Sequence, residues 1–131
     1  MSNKAVLAYS GGLDTSYCLV NLTKDQGMEV HTVIVNTGGF SAEELKDIEA
    51  RAYELGSSKH VTIDITDKYY NDCVRYLIYG NILKNNTYPL SVSAERMFQS
   101  IAIAQYAKDV DAEYIVPVSY THLTLPTILL V

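Results

Sequence analysis

The chain has 131 residues, with 10 Lys plus Arg against 15 Asp plus Glu and a formal net charge of -5. That length suits one domain with a real core and is short for two, while 48% hydrophobic and 19% charged residues exclude a disordered chain. The acidic balance argues against a protein that grips nucleic acid by its phosphates, which needs a clustered positive surface.

Ala5 to Tyr9 is a brief apolar run, a strand, ending at Ser10-Gly11-Gly12. Thr15 to Lys24 then places Leu19 and Leu22 at helical spacing, with Gly27 as a stop. Glu29 to Asn36 is rich in β-branched residues and predicts a second strand, closed by Thr37-Gly38-Gly39. Ser41 and Glu44 have the spacing of a capping box, and the helix they open should run to Leu55 and end at Gly56. His60 to Ile65 is a third strand. Thr66 to Leu83 reads as a helix with Tyr69, Cys73, Tyr76, Leu77 and Gly80 on or near one face, and Lys84 to Pro89 as a loop. A helix starting at Ser91 or Ser93 should reach Val110 with Met97, Ile101, Ala104 and Ala107 inward, followed by a fourth strand at Glu113 to Val116.

Short strands alternating with helices predict an α/β fold, a doubly wound parallel sheet with right-handed crossovers. Ligands of such sheets sit at the carboxyl ends of the strands, where the strand order reverses. Cys18 and Cys73 make neither a disulfide framework nor a Cys/His cluster, so a reducing, cytoplasmic setting is expected. The N-terminus runs straight into a strand and shows no export signal. All charged residues lie at or before Glu113; the uncharged stretch from Tyr114 to Val131 is no membrane span, because Pro117, Pro126 and several polar residues interrupt it.

Ser10-Gly11-Gly12-Leu13-Asp14-Thr15-Ser16 joins the first strand to the first helix. Adjacent glycines let backbone approach a phosphate, Ser10, Thr15 and Ser16 add hydroxyls, and the helix N-terminus completes an anion cradle. Asp14 would repel phosphate unless it faces a metal or a hydroxyl, so its expected roles are to bind Mg²⁺ with the phosphates or to cap the loop. Neither a Walker A loop nor a Gly-x-Gly-x-x-Gly fingerprint is present.

This loop resembles the pyrophosphate loop of the ATP pyrophosphatases, and Ala8 to Ser16 as a whole resembles the argininosuccinate synthase family. A second stretch, Asn85 to Arg96 with Tyr88, Ser93 and Arg96, resembles the segment with which that family holds citrulline. The resemblance implies a Rossmann-like domain of the adenine nucleotide alpha hydrolase type, here truncated. It implies that Ala8, Tyr9, Ser10, Gly11, Gly12, Leu13, Asp14, Thr15 and Ser16 hold ATP, with Val35 on the adenine side. Tyr88 and Ser93 would contact citrulline and Arg96 would pair with its carboxylate. The implied reaction is a ligation: the ureido oxygen of citrulline attacks the α-phosphorus of ATP, pyrophosphate leaves, and the aspartate amine displaces AMP. No covalent nucleophile is needed, although Asp14 is a candidate catalytic group. Mg²⁺ is expected with the ATP phosphates, without a closed protein cage. Neither nucleic acid nor membrane is expected as a partner, and the family's homo-tetramer is built through a larger second domain.

The resemblance breaks off at Val116. In the family a His-Gly and Gly-Asn-Asp segment follows that strand; here Pro117 to Val131 stands in its place, and Ser119 to Thr127 resembles translated sequencing-adapter DNA. The expectation is therefore a nucleotide-binding fragment over residues 1–116 and a non-native tail over 117–131, with no role for His122. A genuine final strand is the alternative, since β-branched residues there permit one. Two rival functions share the loop: another pyrophosphate-loop enzyme, amidating or tRNA-thiolating, and a noncatalytic nucleotide-binding module.

Overall fold

In the computed structural model, which describes residues 3–81, 83–84, 88–117 and 129–130, the apolar run after Asn3 forms β1 (Lys4–Ala8) at the centre of a sheet. Ala5, Val6 and Leu7 are completely buried, as a strand covered on both faces requires. It pairs in parallel with β2 (Glu29–Asn36), from Lys4 opposite Glu29 to Ala8 opposite Val33. The N–H of Tyr9 extends this ladder by donating to the Val33 carbonyl at 2.9 Å. β2 pairs in turn with β3 (Lys59–Asp64), while β6 (Tyr114–Val116) lies on the other side of β1.

With a short strand β7 (Leu129–Leu130) beyond β6, the sheet order is β3-β2-β1-β6-β7, and its first four strands are parallel. The order reverses between β1 and β6, so the Ser10–Gly12 loop emerges at the reversal point. The four expected strands form the expected parallel sheet, and at its edge β7 pairs antiparallel with β6. The intervening residues 118–128, including His122 and most of the expected tail, lie outside the described residues, as does Val131.

Helix α1 (Leu13–Val20) continues as a π-helical stretch, Asn21–Asp25. There Thr23 turns its hydroxyl back on the carbonyls of Leu19 and Val20, at 2.8 and 3.2 Å, a competition with backbone donors that widens the ladder. α2 (Ala42–Glu54) opens on the expected capping box, with reciprocal bonds between Ser41 and Glu44. The N–H of Ser41 is the main reason that the Glu44 carboxyl sits below its ordinary range, its hydroxyl the second.

The expected single helix over 66–83 is instead α3 (Thr66–Tyr69), a π-helical turn (Tyr70–Val74) and α4 (Arg75–Gly80). The wider turn shifts the phase, so Tyr69 is buried, edge-on to Phe98 at 5.5 Å, while Tyr76 faces outward beneath Arg75. The expected loop at 84–89 contains an antiparallel pair, β4 (Leu83–Lys84) with β5 (Tyr88–Pro89). α5 (Ser91–Asp109) follows.

Its inward face is only in part the one expected. Ala107 is fully buried as expected, but Met97 and Ile101 are 58% and 59% exposed and Ala104 is exposed, while Ile103, not expected inward, is 9% exposed. Apolar residues occur all round this helix, so spacing alone selects no face. The two sides of the sheet form separate cores. Val6, Val33 and Val35 pack with Ile103, Ala107 and Ala112 on the α5 side. Leu7, Tyr9 and Val30 pack with Leu19 of α1 and Ala52 of α2 on the other. Helices therefore cover both faces, the doubly wound arrangement.

Candidate functional site

Alternation along β1 sends Val6 and Leu7 into opposite cores, and the chain then leaves the sheet at Ser10. Gly11 has φ +78°, a conformation that favours glycine. A Cβ there would lie 3.0 Å from Ile48 Cγ1, so α2 presses directly on the loop. Gly12 is the N-cap of α1 and contributes no side chain. The first intrahelical bond runs from the Ser16 N–H to the Gly12 carbonyl at 3.0 Å, which leaves the N–H groups of Leu13, Asp14 and Thr15 ahead of the ladder and free for an anion.

Hydroxyls ring this turn. The Thr15 hydroxyl donates to the Gly12 carbonyl at 3.1 Å and lies 3.4 Å from the Ser10 hydroxyl, which accepts a long bond of 3.5 Å from the Gly12 N–H. The Tyr9 and Ser16 hydroxyls are 3.3 Å apart. Tyr9 itself is only 2% exposed and sets its ring edge against His60 at 6.3 Å. Its part in the loop is thus to hold Ser16 from beneath.

Ala8, Tyr9, Ser10, Thr15 and Val35 line a cavity of about 160 Å³ at the carboxyl ends of β1 and β2. Val33, Ile34 and Phe40 complete the wall together with Gln99 and Ile103, and these last two were missed in the sequence. Their signal was present in the stripe Glu95, Gln99, Ile103, spaced at i, i+4 and i+8, but two of its three members are polar. Glu95 accepts a hydrogen bond from the Thr37 hydroxyl and another from Gln99 at 3.4 Å, tying α5 to the loop after β2. Two larger cavities, of about 470 Å³ beside Met28 and Tyr114 and about 410 Å³ beneath Ile63 and Phe98, lie away from these strand ends. The smaller one is where the topology places a ligand. Its volume falls below the several hundred Å³ usual for a whole-ligand pocket, so it accommodates only part of a nucleotide.

Several expected residues stand outside this wall. Leu13 is 86% exposed. Asp14 is exposed in the first turn of α1, beside the loop, and the expectation that it caps the loop is corrected, because Gly12 occupies the cap. A carboxylate in a first turn is favourable to the helix dipole in any case. Among the described residues no three His, Cys, Asp or Glu side chains gather to hold a metal. Ser93 and Arg96 are exposed in the early turns of α5, the helix that supplies Gln99, but neither lines the cavity. Tyr88 lies in β5, opposite Lys84. Burial, and next the Asp14 carboxylate, push the Cys18 thiol up, which disfavours a reactive thiolate.

The family described as "Arginosuccinate synthase N-terminal HUP domain" matches residues 4–119. A relative from Hyperthermus butylicus named argininosuccinate synthase is 41% identical over 110 residues, 84% of this chain and 27% of its own length. Relatives of the same name from Xylella fastidiosa and Methanocaldococcus jannaschii are 47% and 40% identical over 94 and 113 residues. These cover 71% and 86% of this chain and 23% and 28% of the relatives. The chain thus spans about a quarter of the length of these curated relatives. Among solved structures, an NMN synthetase from Francisella tularensis superposes with a TM-score of 0.66 over 88% of this chain and 44% of its own, at 16% identity, a likeness of fold alone.

Proposed function

The chain belongs to the argininosuccinate synthase N-terminal HUP-domain family, and on that premise we propose that it is the ATP-holding part of an enzyme that joins citrulline to aspartate. The observation that carries the reading is the loop after β1: three first-turn N–H groups, the paired hydroxyls of Ser10 and Thr15 and a glycine at φ +78° lie where the strand order reverses. Such a cradle suits a pyrophosphate group, which must be held while charge shifts onto it.

In this reading Ser10, Gly11, Gly12, Thr15 and Ser16 hold the β- and γ-phosphates, and Ala8 and Val35 border the adenine. Tyr9 braces Ser16. Tyr88, Ser93 and Arg96 contribute to the citrulline site, Arg96 by pairing with a carboxylate. The ureido oxygen of citrulline attacks the α-phosphorus, pyrophosphate departs toward the loop, and the aspartate amine then displaces AMP. The donors present fit Mg²⁺ arriving with the phosphates, with Asp14 as the nearby carboxylate, and the metal would neutralise charge on the leaving group. Among the described residues no helix is long and apolar enough to cross a membrane. A cytoplasmic setting, assembly into a homo-oligomer through segments outside this chain, and a non-native origin of residues 117–131 belong to the same proposal.

The test uses the purified 131-residue chain. ATP or pyrophosphate should bind weakly, Asp14→Asn should change that binding only when Mg²⁺ is present, and argininosuccinate should not form. Citrulline- and aspartate-dependent release of AMP by this chain would overturn the assignment of the remaining substrate contacts to segments outside it.

A further inference from the structure

The loop has an electrostatic gap. Residues 8–16 include no Lys or Arg, and their one carboxylate is Asp14, yet a triphosphate brings several negative charges. Neutral hydroxyls and N–H groups make weaker phosphate contacts than charged donors do. The described cation that bonds to this loop comes from 40 residues away: Arg51 of α2 donates from Nη1 to the Gly11 carbonyl at 3.1 Å. Among the described residues no carboxylate pairs with its guanidinium, and the side chain is exposed.

Helical side chains lean toward their own N-terminus. α2 begins just after the carboxyl end of β2, so an arginine in its last turn reaches back toward the ligand end of the sheet. Ile48, one turn earlier on the same face, packs against Gly11 and fixes the distance. One guanidinium N–H is used on the Gly11 carbonyl. The planar fork has four more donors, and the bond to Gly11 tethers it to the loop.

We propose that Arg51 is the cationic member of the phosphate site, contacting the departing pyrophosphate portion of a nucleoside triphosphate while it anchors Gly11. The proposal rests on the nucleotide-site reading above and adds to it a residue outside the loop motif. It predicts discrimination. Arg51 strengthens binding of ligands that have β- and γ-phosphates and is indifferent to those that lack them.

The experiment is displacement of a fluorescent ATP analogue from the full chain by ATP, inorganic pyrophosphate and AMP. It compares the parent with Arg51→Gln, Arg51→Lys and Arg75→Gln, the last removing the same charge from the helix that carries Tyr76. Thermal unfolding without ligand accompanies each. Arg51→Gln should weaken ATP and pyrophosphate about tenfold or more and AMP less than about twofold. Arg51→Lys should recover part of the loss, and Arg75→Gln should match the parent. Unchanged ATP affinity in Arg51→Gln overturns the proposal and leaves the site reading standing. A parallel loss of ATP and AMP also overturns it, because Arg51 would then only brace the loop. An equal loss in Arg75→Gln does so too, by assigning the effect to net charge. A parent chain that binds neither the analogue nor pyrophosphate defeats the nucleotide-site reading itself, and the role of Arg51 with it.

Discussion

Gly11 is constrained twice, by its φ of +78° and by Ile48 Cγ1 at 3.0 Å from where a Cβ would be. Gly11→Ala should lower stability by about 1–2 kcal/mol through the left-handed backbone alone and should abolish nucleotide binding. Adding Ile48→Ala removes the contact and leaves the dihedral penalty, so a double-mutant cycle followed by urea unfolding separates the two. His60 offers a different residue-scale test. It is buried; its Nδ1 lies 2.9 Å from the Thr32 hydroxyl, and its Nε2 has no partner among the described residues. Burial pushes its pKa below the ordinary 6.5, against a smaller opposing pull from Glu49. The unfolded chain therefore takes up a proton that the folded one resists, so stability is fully present above that value and falls as pH drops through it. The urea midpoint should decline between about pH 7.5 and about pH 5.5, and His60→Gln should flatten the decline.

At the scale of elements, α5 is where sequence and structure part. If its inward face is as observed, Ile103→Ala should destabilise by about 2–5 kcal/mol and Ile101→Ala by less than about 0.5 kcal/mol, measured by chemical denaturation. Equal effects would restore the face that spacing suggested. The four parallel strands, the capping box at Ser41 and the loop at Ser10 to Ser16 were legible because each is a local signal: β-branched runs, a three-residue cap spacing, paired glycines. Tyr76 was misplaced because the π-helical turn over Tyr70–Val74 breaks the 3.6-residue count on which a face assignment depends. The inward side of α5 was misread for a related reason, as Glu95 and Gln99 occupy it to bond Thr37 and line the cavity, which hydropathy cannot register. Arg51 was invisible for a third reason: its partner Gly11 is distant in sequence and offers only a backbone carbonyl.

For the whole molecule, stability should be graded outward from β1. Strand β1 is flanked on both sides, while β3 lies at an edge of the sheet. Native-state hydrogen exchange should find the amides of Val6, Leu7 and Val33 slowest and those of Val61 and Ile63 faster; uniform protection across the sheet would show that the two cores open as one unit. The pairing of Ala5 with Tyr114 has a further consequence for how the chain is made. At ordinary elongation rates the first strand leaves the ribosome roughly 5–20 s before the residues that cover its second side. During that interval β1, β2 and β3 can already form with α1 and α2, and Gly11 can already settle against Ile48. The nucleotide loop is then shaped before the sheet is closed, with an unpaired edge of β1 exposed to whatever holds nascent chains apart.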